Sequence, residues 1–191
     1  MDLRRVAEFT PRSLDDEPRD AGVLIPVVER DDRLFLIFTK RSEDLGKHAG
    51  QMSFPGGGYE PGDADIEETA LREAYEEIGL LPEEVELVGR LDDIRTITEY
   101  AVTPFVGYVP DREYHPDERE VAEVAMLAVD ALLDSENYRY ERRDHPYYGD
   151  IVIHYFTVDG YTVWGATGRI LVQLLELTTD WRAPERVNRR V

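Results

Sequence analysis

The stretch TALREAYEEIGL, residues 69–80, puts Arg72, Glu73, Glu76 and Glu77 on one short segment. Glu73 and Glu77 are four apart, so on a helix they stand on one face, a turn from each other. Glu76 adjoins that face, and Arg72, four residues before it, is placed to pair with it. Ile66, Ala70, Ala74 and Ile78 recur every fourth position, with Leu71 beside them. This spacing predicts an amphipathic helix over 65–79 whose apolar stripe packs into a core. Gly79 sits where a helix C-terminus favours glycine, and Pro82 prevents resumption. Like charges at this spacing repel by a few tenths of a kcal/mol per exposed pair, roughly. A hard divalent cation reverses that cost, because it takes carboxylate oxygens, waters and substrate phosphates as ligands. Taken alone, the three glutamates fit a solvated acidic face as well as a cation site.

Just upstream lies FPGGGYEPGDADIE, residues 54–67. Gly56, Gly57 and Gly58 permit close backbone approach, and free N–H groups in such loops can cradle phosphate oxygens. A lone triple glycine is more often a turn. Here it precedes an acidic helix within one unit of strand, loop and helix. The loop before it carries Lys40, Arg41, Lys47 and His48, a basic group in a chain of net charge -19. Arg and Lys suit phosphate, Arg through its bidentate fork.

Further out, AGVLIPVVER and RLFLIFTKR read as two strands of a hairpin separated by Asp31-Asp32. VELVGRLDDI and YAVTPFVGYV read as strands, and EREVAEVAMLAVDALLD as a short strand followed by a short helix. IVIHYFTVDGYTVWG reads as a hairpin with Asp159-Gly160 in its turn. TGRILVQLLELTTDW closes the chain as an amphipathic helix with Thr167 as its N-cap. Residues 1–20 read as a charged leader with a short helix at its start, 21–180 as one domain, and 181–191 as a tail. The segment ENYRYERRDHPYYGD carries no readable signature. The expected class is α/β (α+β), a mixed sheet between helices.

The chain has 191 residues and 42% hydrophobic residues, which suits one domain with a real core. It lacks cysteine, which excludes disulfides, thiol nucleophiles and Cys-ligated zinc. No apolar run approaches the ~20 residues of a membrane helix, and no signal peptide is visible, so a cytoplasmic protein is expected. The excess of 41 Asp+Glu over 22 Lys+Arg argues against nucleic acid and anionic membranes as partners. Spread along the chain, that acid surface suits a salt-rich cytoplasm, where self-repulsion is screened. His115, His145 and His154 lack metal-ligand spacing and read as structural. Trp164 and the tyrosines read as packing residues.

GGYEPGDADIEETALREAYEEIGL resembles the Nudix box, G-x5-E-x7-R-E-U-x-E-E-x-G-U with U aliphatic. Arg72 to Leu80 fit fully. The first half departs: Gly57-x5 reaches Asp63 instead of Glu, and eight residues precede Arg72, which puts the role of Asp63 in question. TKRSEDLGKHAGQMSFPGG, residues 39–57, is similar to the upstream motif of the coenzyme A diphosphatase branch. Arg41, Ser42, Leu45, His48, Gly50, Gln51, Phe54, Pro55, Gly56 and Gly57 carry that match, and VWGATGRIL resembles the same branch.

The resemblance implies an α/β/α sandwich and Mg²⁺- or Mn²⁺-dependent hydrolysis of a diphosphate linkage. It implies Glu73 and Glu77 as metal ligands, Glu76 as a further ligand or partner, and Arg72 as their orienter. Lys40, Arg41, Ser42, His48, Gln51, Gly56 and Gly57 are the expected substrate contacts. The general base is sought outside the box, with Glu120 and Glu123 as candidates. The implied products from coenzyme A are 4'-phosphopantetheine and adenosine 3',5'-bisphosphate. ADP-ribose, a dinucleotide or a modified nucleoside triphosphate is the alternative substrate, and a catalytically silent nucleotide-binding regulator the alternative role. The partner is a small molecule, with a homodimer as the candidate assembly.

Overall fold

A computed structural model describes residues 1–42, 50–145 and 149–183. Leu45, Lys47 and His48 therefore lie outside the described residues. A short helix α1 (Arg4–Ala7) precedes a hairpin of β1 (Arg19–Arg30) and β2 (Arg33–Arg41). Then come β3 (Met52–Ser53), β4 (Gly56–Gly58), helix α2 (Ile66–Ile78), β5 (Glu86–Arg90), β6 (Ile94–Arg95) and β7 (Tyr100–Tyr108). β8 (Val121–Ala128), α3 (Val129–Leu133), β9 (Tyr138–His145), β10 (Gly149–Val158), β11 (Tyr161–Trp164) and α4 (Gly165–Thr178) complete the described chain.

The larger sheet runs β3-β2-β1-β7-β5, with β4 on β1, β6 on β7 and β8 on β2. β1 and β7 pair in parallel from Arg19↔Tyr100 to Val27↔Tyr108, while the other pairs are antiparallel. The sheet is thus mixed, and side-chain alternation sends its two faces into two cores. Leu24, Val28, Ile37 and Phe105 meet Ala70, Ala74 and Ile78 of α2. Ile25, Val27, Leu36, Phe38 and Val106 join Ile170, Leu171, Leu174 and Leu175 of α4 in the other core. A second sheet, β11-β10-β9, adds Phe156, Val158 and Val163 to that core.

Both hairpin turns follow their residue chemistry. Asp31 and Asp32 take φ 50 and 58, and Asp159 and Gly160 take φ 53 and 84. These are the left-handed conformations a two-residue hairpin turn needs. The leader includes the expected short helix and is also anchored. Leu3 and Val6 are buried in the α4 core, the Asp2 N–H donates to the Thr178 carbonyl at 2.7 Å, and Arg19 and Asp20 already belong to β1.

Thr167 is not the N-cap of the last helix. Trp164 occupies that position, because the chain turns at Gly165 with φ 66 and begins its helix there, which leaves Thr167 buried within the first turn. The segment without signature contains β9, whose Tyr138–His145 pairs along β10.

Candidate active site

Helix α2 is set at both ends by side-chain and backbone chemistry. The Asp65 carboxylate accepts the Glu68 N–H at 2.9 Å as N-cap, and Gly79 ends the helix at φ 65. Its small residues let it lie directly on the sheet. A Cβ at Gly22 would stand 2.4 Å from the Ile66 carbonyl oxygen, and one at Gly57 would stand 2.4 Å from the Glu73 carboxyl. Gly56 has φ 156, and its N–H points to Glu77 Oε2 at 3.4 Å. The three glycines form the short β4 against β1, so their first use here is close approach to β1 and α2.

Arg72 is the hub of the site. Its Nε donates to Asp63 Oδ1 at 2.8 Å and its Nη2 to Asp63 Oδ2 at 3.1 Å. Nη1 donates to Glu73 Oε1 and Glu76 Oε2, each at 3.0 Å, and Nη2 also reaches the Gly58 carbonyl at 3.2 Å. Asp63 is buried and accepts two further bonds, from the Thr69 hydroxyl at 2.8 Å and the Glu60 N–H at 3.0 Å. The Arg72 guanidinium and these donors hold the Asp63 carboxyl well below the usual carboxylate range, and the same pairing raises Arg72. Asp63 is therefore the anchor of the arginine that steadies Glu73 and Glu76.

Glu77 is in the opposite condition. Its carboxyl is buried, and the Gly56 N–H donates to it. Burial pushes its pKa up to about 8, and the negative charges of Glu73 and Glu120 add to the rise. Burial raises Glu73 as well, against the pull of Arg72. Arg41 acts on Glu77 in the opposite direction, which places that cation beside the seam.

The structure separates the two candidates for a base. Glu120 lies in a loop tied to the helix: the Asp117 N–H donates to the Glu77 carbonyl, and the Glu120 N–H to the Asp117 carbonyl, both at 2.9 Å. The Glu120 carbonyl accepts the Ser42 N–H at 2.8 Å, so Ser42 and Arg41 sit at the same junction. Glu123 is instead hydrogen-bonded by the Tyr161 hydroxyl and pairs across the ladder with Lys40. Gln51 stays near Arg41, whose N–H donates to the Gln51 carbonyl at 3.0 Å. His154 is structural as expected, its Nδ1 lying 2.7 Å from the Tyr138 hydroxyl.

Among the described residues no three acidic or histidine side chains already form a metal cluster. Arg72 draws Glu73 and Glu76 to one side while Glu77 turns to Gly56. The donor set nevertheless fits a hard divalent cation. Glu73 and Glu77 offer carboxylate oxygens whose ionised forms are undercompensated where they stand, and a cation would supply the missing charge.

Comparison with known proteins agrees with this geometry. The NUDIX domain profile matches residues 18–149. The Citrobacter koseri protein described as uncharacterized Nudix hydrolase NudL is 42% identical over 162 residues, covering 82% of this chain and 81% of its own. The Enterobacter sp. (strain 638) protein of the same description is 40% identical with the same coverage. Among solved structures, a MutT/nudix family protein from Enterococcus faecalis matches with TM-score 0.53 and 13% identity, over 86% of this chain and 63% of that one. The C. elegans Ap4A hydrolase binary complex matches with TM-score 0.50 and 14% identity, over 59% and 81%. At these identities the two structures speak for the fold.

Proposed function

This chain belongs to the NUDIX domain family, and we propose that it cleaves the diphosphate linkage of coenzyme A or its derivatives. As a Nudix hydrolase it is a pyrophosphohydrolase acting on nucleoside diphosphate derivatives. The finer assignment is supported by one junction. The segment that resembles the coenzyme A branch leaves β2 at Arg41 and Ser42, and there it meets Glu120 and the charge of Glu77.

Glu73 and Glu77, with Glu76, would hold Mg²⁺ or Mn²⁺, the class of ion that Nudix hydrolases generally use. When bound there, such an ion would neutralise the diphosphate and lower the pKa of a coordinated water. Arg72, clamped by Asp63, keeps Glu73 and Glu76 aimed. Lys40, Arg41, Ser42 and Gln51 flank the substrate phosphates, and His48 belongs to the same proposed set. Gly56 and Gly57 bring the backbone close beside them. Glu120, exposed and anchored through its own backbone, is the base that takes a proton from the attacking water. Attack falls on phosphorus, and no covalent enzyme intermediate is needed.

Purified protein with Mg²⁺ or Mn²⁺ is offered coenzyme A, ADP-ribose and nucleoside triphosphates, with products read by mass spectrometry. Release of 4'-phosphopantetheine and adenosine 3',5'-bisphosphate, abolished by chelator, is expected. Cleavage confined to ADP-ribose, giving AMP and ribose 5-phosphate, would overturn the substrate and keep the α2 assignment. The proposed setting is a salt-rich cytoplasm, and a melting temperature that rises with KCl is its signature. Among the described residues no helix is long and apolar enough to cross a membrane.

A further inference from the structure

On the face of the sheet away from α2, two arginines end on carbonyl oxygens instead of carboxylates. Arg19 donates to the Thr98 carbonyl and lies 3.4 Å from the Tyr100 hydroxyl, with its guanidinium 4.2 Å over the Tyr100 ring centroid. Arg169 on α4 donates to the Arg95 carbonyl at 2.8 Å. Both therefore reach the same turn, residues 95–100, one from β1 and one from α4. Among the described residues neither forms an ion pair with a carboxylate. That is notable where 41 Asp+Glu face 22 Lys+Arg, and where Arg12, Arg30, Arg72, Arg95 and Arg112 all hold acids.

Tyr100 connects this pair to the reaction site. A Cβ at Gly58 would stand 3.7 Å from Tyr100 Cε1 and 3.9 Å from its hydroxyl oxygen. The Gly58 carbonyl is the one that accepts Arg72. Arg19 and Tyr100 thus lie just across β4 from the carboxylate seam.

We propose that Arg19 and Arg169 form an anion subsite for a phosphate monoester on the nucleoside end of the substrate, separate from the diphosphate that is cleaved. This rests on the coenzyme A reading above, whose substrate carries such a group at the ribose 3' position. Each guanidinium exchanges its carbonyl partner for phosphate oxygens in a charge-assisted, fork-shaped contact. The subsite selects for the phosphorylated ribose.

The test compares kcat/KM for coenzyme A and 3'-dephospho-coenzyme A in the wild type, Arg19→Gln and Arg169→Gln. Both side chains are exposed, so thermal melts are expected to show folded variants. The wild type should prefer the phosphorylated substrate by about tenfold or more, and each substitution should cut that preference by about tenfold. Activity on coenzyme A with the preference unchanged in both variants, or with no preference in the wild type, would overturn the subsite and leave the reaction assignment standing. Cleavage of neither substrate by the wild type, with ADP-ribose or a triphosphate cleaved, would overturn the assignment and the subsite with it.

Discussion

The two faces of the central sheet do different work with helices of similar length. α4 presents Ile170, Leu171, Leu174 and Leu175 to an apolar core that also takes in the leader and the second sheet. α2 presents Ala70, Ala74 and Ile78, with Ile66 packed beside them, to a smaller core, and on the same helix it buries Glu77 and half-buries Glu73. One face gains stability from area removed from water. The other holds buried carboxylates that destabilise the fold unless something cationic joins them. Stability and chemistry are thereby placed on opposite sides of one sheet, and substitutions should separate them.

Glu77→Gln is the sharpest way to break the comparison. Turnover should fall by about 10²–10³-fold, read as kcat/KM at saturating Mg²⁺. The metal-free protein should at the same time become more stable at pH 8. Glu77 has a folded pKa pushed up to about 8 from 4.5, so its protonated form favours the fold. The stability it gives is complete below pH 4.5 and is lost as pH rises from there through 8. The substitution removes that loss, on the order of a few kcal/mol. Thermal melts in chelator should cross, with wild type and variant alike near pH 4.5 and the variant higher at pH 8. A variant less stable at both pH values would refute this account of Glu77.

Leu171→Ala tests the other face. The side chain is fully buried, and its truncation should cost about 2–5 kcal/mol in urea unfolding. The kcat of the folded fraction should stay near wild type. Asp63→Asn lies between the two, because it frees Arg72 without emptying a core. A loss of about 10–100-fold in metal affinity or activity is expected. The depressed folded pKa of Asp63 means that its contribution is present above its unfolded pKa near 4 and is lost as pH falls below it. The wild type should therefore lose stability in acid more steeply than Asp63→Asn. The smallest effect lies outside both cores. Asp32→Gly relieves a left-handed residue in the first hairpin and should stabilise by about 0.5–1 kcal/mol, with activity unchanged.

The α2 face was the more legible in sequence. The four-residue apolar spacing and Gly79 act locally, so the helix and the shared face of Glu73 and Glu77 follow from short-range rules. What needed the fold was the partner of each charge. Asp63 is only one acid among many until Arg72, Thr69 and the Glu60 N–H converge on it. Glu120 and Glu123 look alike in EREVAEV. The Asp117 and Ser42 backbone bonds bring Glu120 to the helix, while Tyr161, distant in sequence, engages Glu123. β9 was hidden because YRYERRDH carries no readable signature, yet it gains its hydrogen bonds from β10. Thr167 looked like a cap until the turn at Gly165 started the helix earlier.

The parallel pairing of β1 with β7 also governs when the site can exist. Arg19 and Tyr100 are neighbours in space but about eighty residues apart along the chain. The whole carboxylate helix is made before the strand that completes the sheet beneath it. At a synthesis rate of about 5–20 residues per second, α2 waits for seconds without its full supporting layer. During that interval the Glu77 carboxyl stands in water, without the sheet that later buries it. The reactive centre is thus a late product of folding, assembled only when the two halves of the chain have met.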